Sequence, residues 1–183
     1  MAYRNGTYVA FHANGTDVPT DSDIKYYNLM KAWTEKTDDD FSMINSHEKA
    51  SSVRDSSKKA TLRASLQERL RNSKNMVLII GQTTRLDSDW VPLEIEKAID
   101  LYEIPVIAAY TVWDRRILSP KYLAIHWPNA LSDRIINGTA KVMHIPFKKA
   151  PITDAIATFS PKNKPPHGLW FYSEETYKQW GIE

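Results

Sequence analysis

NMVLIIGQTTRLDSDWVPLEIEKAIDLY, residues 75–102, contains one strand, one loop and one helix in succession. Met76-Val77-Leu78-Ile79-Ile80 is an unbroken apolar run ending on Gly81, as expected of a strand buried on both faces of a parallel sheet. A polar loop follows from Gln82 to Asp89. Val91, Ile95, Ala98, Ile99 and Tyr102 then recur at helical spacing and make one apolar stripe facing a core. Asp89 is the expected N-cap, and Pro92 falls in the first turn, where its missing N–H is no loss.

The same alternation runs through the rest of the chain. Thr7 to Ala13 reads as a first strand between the turn dipeptides Asn5-Gly6 and Asn14-Gly15. Tyr26, Leu29, Met30 and Trp33 predict a helix beginning near Asp21 or Ser22, and Phe41 to Asn45 a short second strand. Ser46 to Lys59 is polar and reads as a long loop over the edge where the strands end. Leu62, Leu66 and Leu70 mark a helix with a basic last turn, Arg69, Arg71 and Lys74. Beyond the central unit, Pro105 to Tyr110 and Lys141 to Pro146 are further strands, and Ile152, Ala155, Ile156 and Phe159 a closing helix. The segment from Trp113 to Asn137 carries no placeable motif.

Strands alternating with helices predict an α/β fold, a flavodoxin-like, doubly wound, five-stranded parallel sheet of order 2-1-3-4-5. Residues 1–160 form the domain. Residues 161–183 are a linker, within SPKNKPPHG, and an aromatic tail too rich in Trp and Tyr to float free. In that tail Ser173 is positioned to cap a last helix that turns Tyr177 and Trp180 inward, onto this domain or onto a neighbouring protomer.

Composition narrows the function classes. The 183 residues are 42% hydrophobic and 25% charged, ordinary for a globular protein. A net charge of +2 gives no argument for nucleic acid or an anionic membrane. No apolar run is long enough to span a bilayer, and the simplest expectation is a cytoplasmic protein. There is no cysteine, hence no thiolate metal site and no cysteine nucleophile. The five histidines are isolated, without metal-ligand spacing, and Asp38-Asp39-Asp40 reads as a solvated turn, so no metal is expected. Phosphate-loop and dinucleotide-fold glycine patterns are absent, as is a GxSxG elbow. A receiver-type Asp is missing too, because Gly81 ends the third strand.

What remains is Glu94, four residues after Trp90 and so on the same helix face, at the carboxyl end of the central strand where open α/β sheets bind ligands. The helix N-terminus favours its ionised form. One carboxylate beside an aromatic ring suits chemistry through an oxocarbenium-like transition state. The competing reading is an ordinary one: Trp90 a partly buried anchor and Glu94 a solvated, helix-stabilising acid.

Val9-Ala10-Phe11-His12, then Val77 to Gly81 with its Thr-rich loop, then Ser88-Asp89-Trp90-Val91-Pro92-Leu93-Glu94-Ile95 together resemble a TIR-type domain. More narrowly, they are similar to the TIR-like proteins of Thoeris anti-phage defence systems, over roughly Thr7 to Tyr110. The resemblance implies cleavage of the nicotinamide–ribose bond of NAD⁺, which is substrate and not cofactor, with hydrolysis or cyclisation of the ADP-ribose product. It implies Glu94 as the catalytic residue, with Trp90 bordering the pocket, Phe11, His12, Ala13 and Thr83 lining it, and the loop from Ser46 gating it. A homo-oligomer and an effector protein reached through the nucleotide product are the implied partners. Ala13-Asn14-Gly15 departs from the basic residue that follows the first strand in many eukaryotic relatives, and Pro92 is unusual inside the Trp-to-Glu interval. Two rivals stand beside this reading: a non-catalytic TIR-like assembly module in signal transduction, and a nucleoside or deoxyribosyl transferase of similar topology.

Overall fold

The computed structural model describes residues 4–14, 22–35, 43–44, 56–163 and 165–183. Strand β3 (Ser73–Ile80) is its axis: from Asn75 to Ile80 every residue is buried, and successive side chains enter opposite cores. β1 (Gly6–Ala10) lies on one side of it and β4 (Val106–Tyr110) on the other. Beyond β1 comes β2 (Met43–Ile44), and beyond β4 comes β5 (Lys141–Pro146). All pair in parallel, in the flavodoxin-like order expected. The tail adds a strand that the sequence did not announce: β6 (Gly168–Trp170) pairs parallel to β5 and extends the sheet to β2-β1-β3-β4-β5-β6.

Alternation along the strands builds two cores. Tyr8, Ala10, Met76, Leu78, Ile80, Val106 and Ala108 face one side, covered by α2 (Ser56–Arg71), α3 (Trp90–Glu96) and α4 (Asn129–Ile136). Val9, Phe11, Val77, Ile79, Ile107, Ala109 and Ile145 face the other, covered by α1 (Ile24–Glu35) and α5 (Lys149–Thr158). Each aliphatic chain so buried contributes about 1.5–3 kcal/mol.

Several elements differ from the sequence reading. In α1 the inward residues are Tyr27 and Met30, with Tyr26 and Trp33 beside them, while Leu29 is 43% exposed. The polar stretch after Ser46 gives way to α2 at Ser56. The central helix does not run unbroken to Tyr102. After Glu96 it widens into a π-type turn, Lys97–Leu101, which still carries Ala98 and Ile99 into the core. The unplaced segment contains a 3-10 turn (Pro120–His126) and α4. Ser46 and the beginning of its loop, with Asp38-Asp39-Asp40, lie outside the described residues.

Buried polar groups tie the layers together. The Trp127 indole N–H donates to the Tyr110 hydroxyl (2.7 Å), which donates to His144 Nδ1 (2.7 Å). Burial pushes the His144 pKa down to about 3, so the ring is a neutral acceptor there. Asn75 fastens the opposite layer. Its amide donates to the Ile156 and Phe159 carbonyls (2.9 and 3.0 Å), and its oxygen accepts from the Thr7 hydroxyl (2.7 Å). Asn75→Ala would leave three buried groups short of a partner and is expected to destabilise the protein by about 3 kcal/mol, read from urea unfolding at unchanged slope.

The tail is docked on its own domain. Ser173 Oγ accepts the Thr176 N–H at the start of α6 (Glu174–Gln179), and Tyr177 is fully buried with its ring edge-on to Trp180. Arg116 pairs with Glu174 (2.7 Å) and donates its backbone N–H to the Glu183 carbonyl (3.0 Å). The loop after β4 is thereby held to the chain's last helix.

Candidate functional site

The site begins where β1 and β3 end, because α3 starts there and brings Glu94 back over the first core. Asp87, rather than Asp89, organises that start. Its Oδ1 accepts the backbone N–H of Asp89 (2.8 Å) and of Trp90 (3.1 Å), while the Asp89 side chain makes no cap bond. Trp90 is half-buried against the first core.

Glu94 lies one turn on and is only 2% exposed, which removes the reading of a solvated surface acid. Its Oε1 accepts a 2.6 Å hydrogen bond from the Tyr8 hydroxyl, on the face of β1 that turns toward α3. Its Oε2 is buried and has no hydrogen-bond partner among the described residues. Burial pushes the pKa from 4.5 up to about 8; the Tyr8 hydrogen bond opposes the rise and the nearby Asp87 charge adds to it. The helix N-terminus was expected to hold Glu94 ionised, but desolvation outweighs it, and below about pH 8 the folded chain keeps it a neutral acid.

His12 stands on the same edge. Its Nδ1 is 3.1 Å from the Thr83 hydroxyl, and its Nε2 is 3.8 Å from Asp87 Oδ2, so one aspartate caps α3 and also faces the imidazole. Phe11 and Ala13, which flank His12 just past the end of β1, pack on the other side of the sheet. Phe11 is fully buried, stacked on Tyr27 with ring centres 5.4 Å apart, and Ala13 packs on the same second core. The structure thus gathers Glu94 and Trp90 on α3 and His12 and Thr83 on the adjoining edge. It does not bring Phe11 or Ala13 to the Glu94 face, and Ser46 lies outside the described residues.

Sequence reasoning missed Tyr8, Asp87 and a third group centred on Thr84. The Thr84 hydroxyl donates to Asp23 Oδ2 (3.0 Å) and accepts the Gly81 N–H (2.7 Å). Gly81 allows this because it has no side chain: a Cβ there would stand 2.2 Å from Asp23 Oδ1. Only Tyr8 had a signal in the sequence, a hydroxyl at an inward position of a buried strand. Among the described residues no three His, Asp or Glu side chains converge as metal ligands, and no helix is long and apolar enough to cross a membrane.

The chemical content of this edge is one enclosed carboxyl, held at one oxygen and open at the other, beside a tryptophan and next to a histidine–aspartate contact. Residues 8–116, which span β1, Tyr8, His12, Asp87, Trp90 and Glu94, match the family model for the Thoeris protein ThsB, TIR-like domain, and the chain belongs to that anti-phage defence family.

Proposed function

We propose that this chain cleaves the nicotinamide–ribose bond of NAD⁺ and releases ADP-ribose, linear or cyclised, as a defence signal. It would then be an NAD⁺ glycohydrolase or ADP-ribosyl cyclase. The observation that carries the reading is Glu94: a fully enclosed carboxyl with Oε1 held by Tyr8 and Oε2 without a partner. A buried carboxyl oxygen left without a partner costs about 1–3 kcal/mol, and a ribose hydroxyl, which can both donate and accept, offsets this whether or not Oε2 carries the proton.

In this mechanism the neutral acid meets a cation. The pyridinium of NAD⁺ favours the carboxylate, Glu94 releases its proton, and Oε2 accepts from the ribose next to nicotinamide. As the C1′–N bond lengthens, its electron pair goes to nicotinamide and positive charge grows on the sugar. The carboxylate opposes that charge in a site dry enough for the interaction to count. Water or a hydroxyl of the ADP-ribose then bonds to C1′ and loses its proton to solvent, or an adenine ring nitrogen bonds there through its lone pair and the adjoining exocyclic amine gives up the proton. Homo-oligomers and an effector that reads the product are the partners this reading implies, in the cytoplasm where NAD⁺ is available.

Incubation of the purified chain with NAD⁺, with nicotinamide quantified and nucleotides separated by chromatography, tests the proposal. Release by the parent and not by folded Glu94→Gln supports it, and equal release by both would overturn it. Tyr8→Phe supplies a finer check. Removing that hydrogen bond raises the Glu94 pKa further, so the acid limb of kcat/KM should move to higher pH and the rate at neutral pH should fall about five- to tenfold. An unmoved limb would mean that Tyr8 does not hold the working carboxyl. The assembly-module rival would bind through the aromatic tail or the loop from Ser46 to Lys59, and burial of Tyr177 takes that one residue of the tail away from it.

A further inference from the structure

Beside His12 and Thr83 the edge opens into a cleft of about 240 Å³, separate from the buried Glu94 carboxyl. Its lining is mostly polar: Asp23, Lys25, Tyr26, Gln82, Thr83 and Thr111. The volume is below the roughly 300 Å³ at which pockets begin to hold drug-sized molecules, so it suits one fragment of a dinucleotide and not the whole. The Thr83 hydroxyl both lines this cleft and meets His12 Nδ1 at 3.1 Å, which joins the cleft to the Glu94 edge.

Asp23 gives the cleft its character. It is 7% exposed, lines the cleft and accepts the Thr84 hydroxyl on Oδ2. Its place is imposed from below, since Oδ1 rests where any side chain at position 81 would have to go. A carboxylate lining a pocket accepts from donors there, and paired sugar hydroxyls supply two. Lys25, exposed at the rim with its ammonium 5.0 Å from the Tyr26 ring centre, offers a cation for a phosphate attached to the same sugar. Gln82, Thr83 and Thr111 supply further donors and acceptors on the opposite wall. These groups together fit a ribosyl phosphate.

We infer that this cleft holds the ribosyl phosphate of the adenosine half of the dinucleotide, and that Asp23 reads its 2′- and 3′-hydroxyls and thereby selects against a 2′-phosphate. The inference rests on the proposed NAD⁺ cleavage and adds a specificity-determining residue to it. A 2′-phosphate would bring two negative charges against Asp23 in a partly dry pocket, and like charges there are strongly disfavoured. With nicotinamide and its ribose at Glu94, which does not line this cleft, Asp23 meets only the other half of the dinucleotide, so the effect should fall on KM.

The test compares kcat/KM for NAD⁺ and NADP⁺ in the parent and in Asp23→Asn, which keeps an acceptor for Thr84 and removes the charge. The parent should prefer NAD⁺ by about a hundredfold, and Asp23→Asn should cut that ratio at least about tenfold, through KM. An unchanged ratio in a folded variant overturns the inference. Calorimetry with ADP-ribose supplies a readout that needs no turnover. Asp23→Asn should weaken binding about tenfold, and Lys25→Gln, at the exposed rim, about threefold. Were the parent to bind ADP-ribose yet release no nicotinamide, the proposed reaction would fail while the cleft assignment stood on the binding data. Equal ADP-ribose affinity in the parent and in Lys25→Gln and Asp23→Asn would remove the cleft assignment whatever the reaction. If Asp23→Asn does not fold, Lys25→Gln and Thr111→Val carry the test. Affinity unchanged in both overturns the inference, and weakening in both supports it.

Discussion

Glu94→Gln is expected to lower nicotinamide release from NAD⁺ by about a thousandfold or more, with the fold intact. The substitution keeps the shape of the side chain, and its amide oxygen still accepts from the Tyr8 hydroxyl. It removes the one charge that opposes the growing cation on the ribose. At the effective dielectric usual for protein sites, a unit charge about 4 Å from another is worth about 4 kcal/mol, close to three decades of rate. A loss of this size in kcat, with NAD⁺ still binding, would locate the interaction in the transition state. A loss confined to KM would instead make Glu94 a binding residue.

The same substitution should stabilise the protein, most of all at alkaline pH. Above pH 4.5 the unfolded chain has released the Glu94 proton while the folded chain keeps it up to about pH 8. The folded state therefore binds more protons across that window, and stability falls as pH rises, by about 1.4 kcal/mol per pH unit. The penalty is absent near pH 4.5 and complete above about pH 8. Gln does not ionise and escapes it. Chemical unfolding should find Glu94→Gln more stable than the parent by about 4 kcal/mol at pH 8, narrowing to nothing near pH 4.5. Equal stability at both pH values would mean that the carboxyl is not desolvated as the fold places it. Lost activity with gained stability is the signature of a group kept for chemistry at the expense of the fold, and a merely structural residue shows the reverse.

The elements legible in the sequence were those whose packing leaves a periodic trace. Met76 to Ile80 is buried on both faces and reads as an unbroken apolar run; Val91, Ile95, Ala98 and Ile99 keep helical spacing even across the π-type turn; Lys141–Pro146 is the strand expected. α4 stayed hidden because Pro120 and Pro128 interrupt the segment before it and its stripe spans barely two turns. β6 stayed hidden because a three-residue strand at a sheet edge, just after Pro165-Pro166, has no period to detect. In α1 the spacing picked out Leu29 and passed over Tyr27, and only the packing against Phe11 selects Tyr27.

Of the site, the pair Trp90 and Glu94 was legible from spacing, but the environment that sets its chemistry was not. Glu94 flanks the stripe in sequence, and flanking positions are usually wet. Its enclosure depends on Tyr8, 86 residues away, a contact that no local pattern encodes. The cap was assigned to Asp89 because it stands next to the helix, whereas the loop folds so that Asp87 reaches the free N–H groups first. Asp23 and Thr84 carry no mark in the sequence; what sets them apart is Gly81, whose hydrogen in place of a side chain lets the two elements touch.

The most direct test is the pH dependence of nicotinamide release from NAD⁺ by the parent chain, with Glu94→Gln run beside it between about pH 6 and pH 9. The expected result is a kcat/KM that rises with pH and levels near pH 8, where Glu94 gives up its proton in the free protein, with release by the variant lower by about a thousandfold or more and without that rise. Release by Glu94→Gln equal to that of the parent, or a parent profile flat across the whole range, would contradict the role assigned to this buried carboxyl.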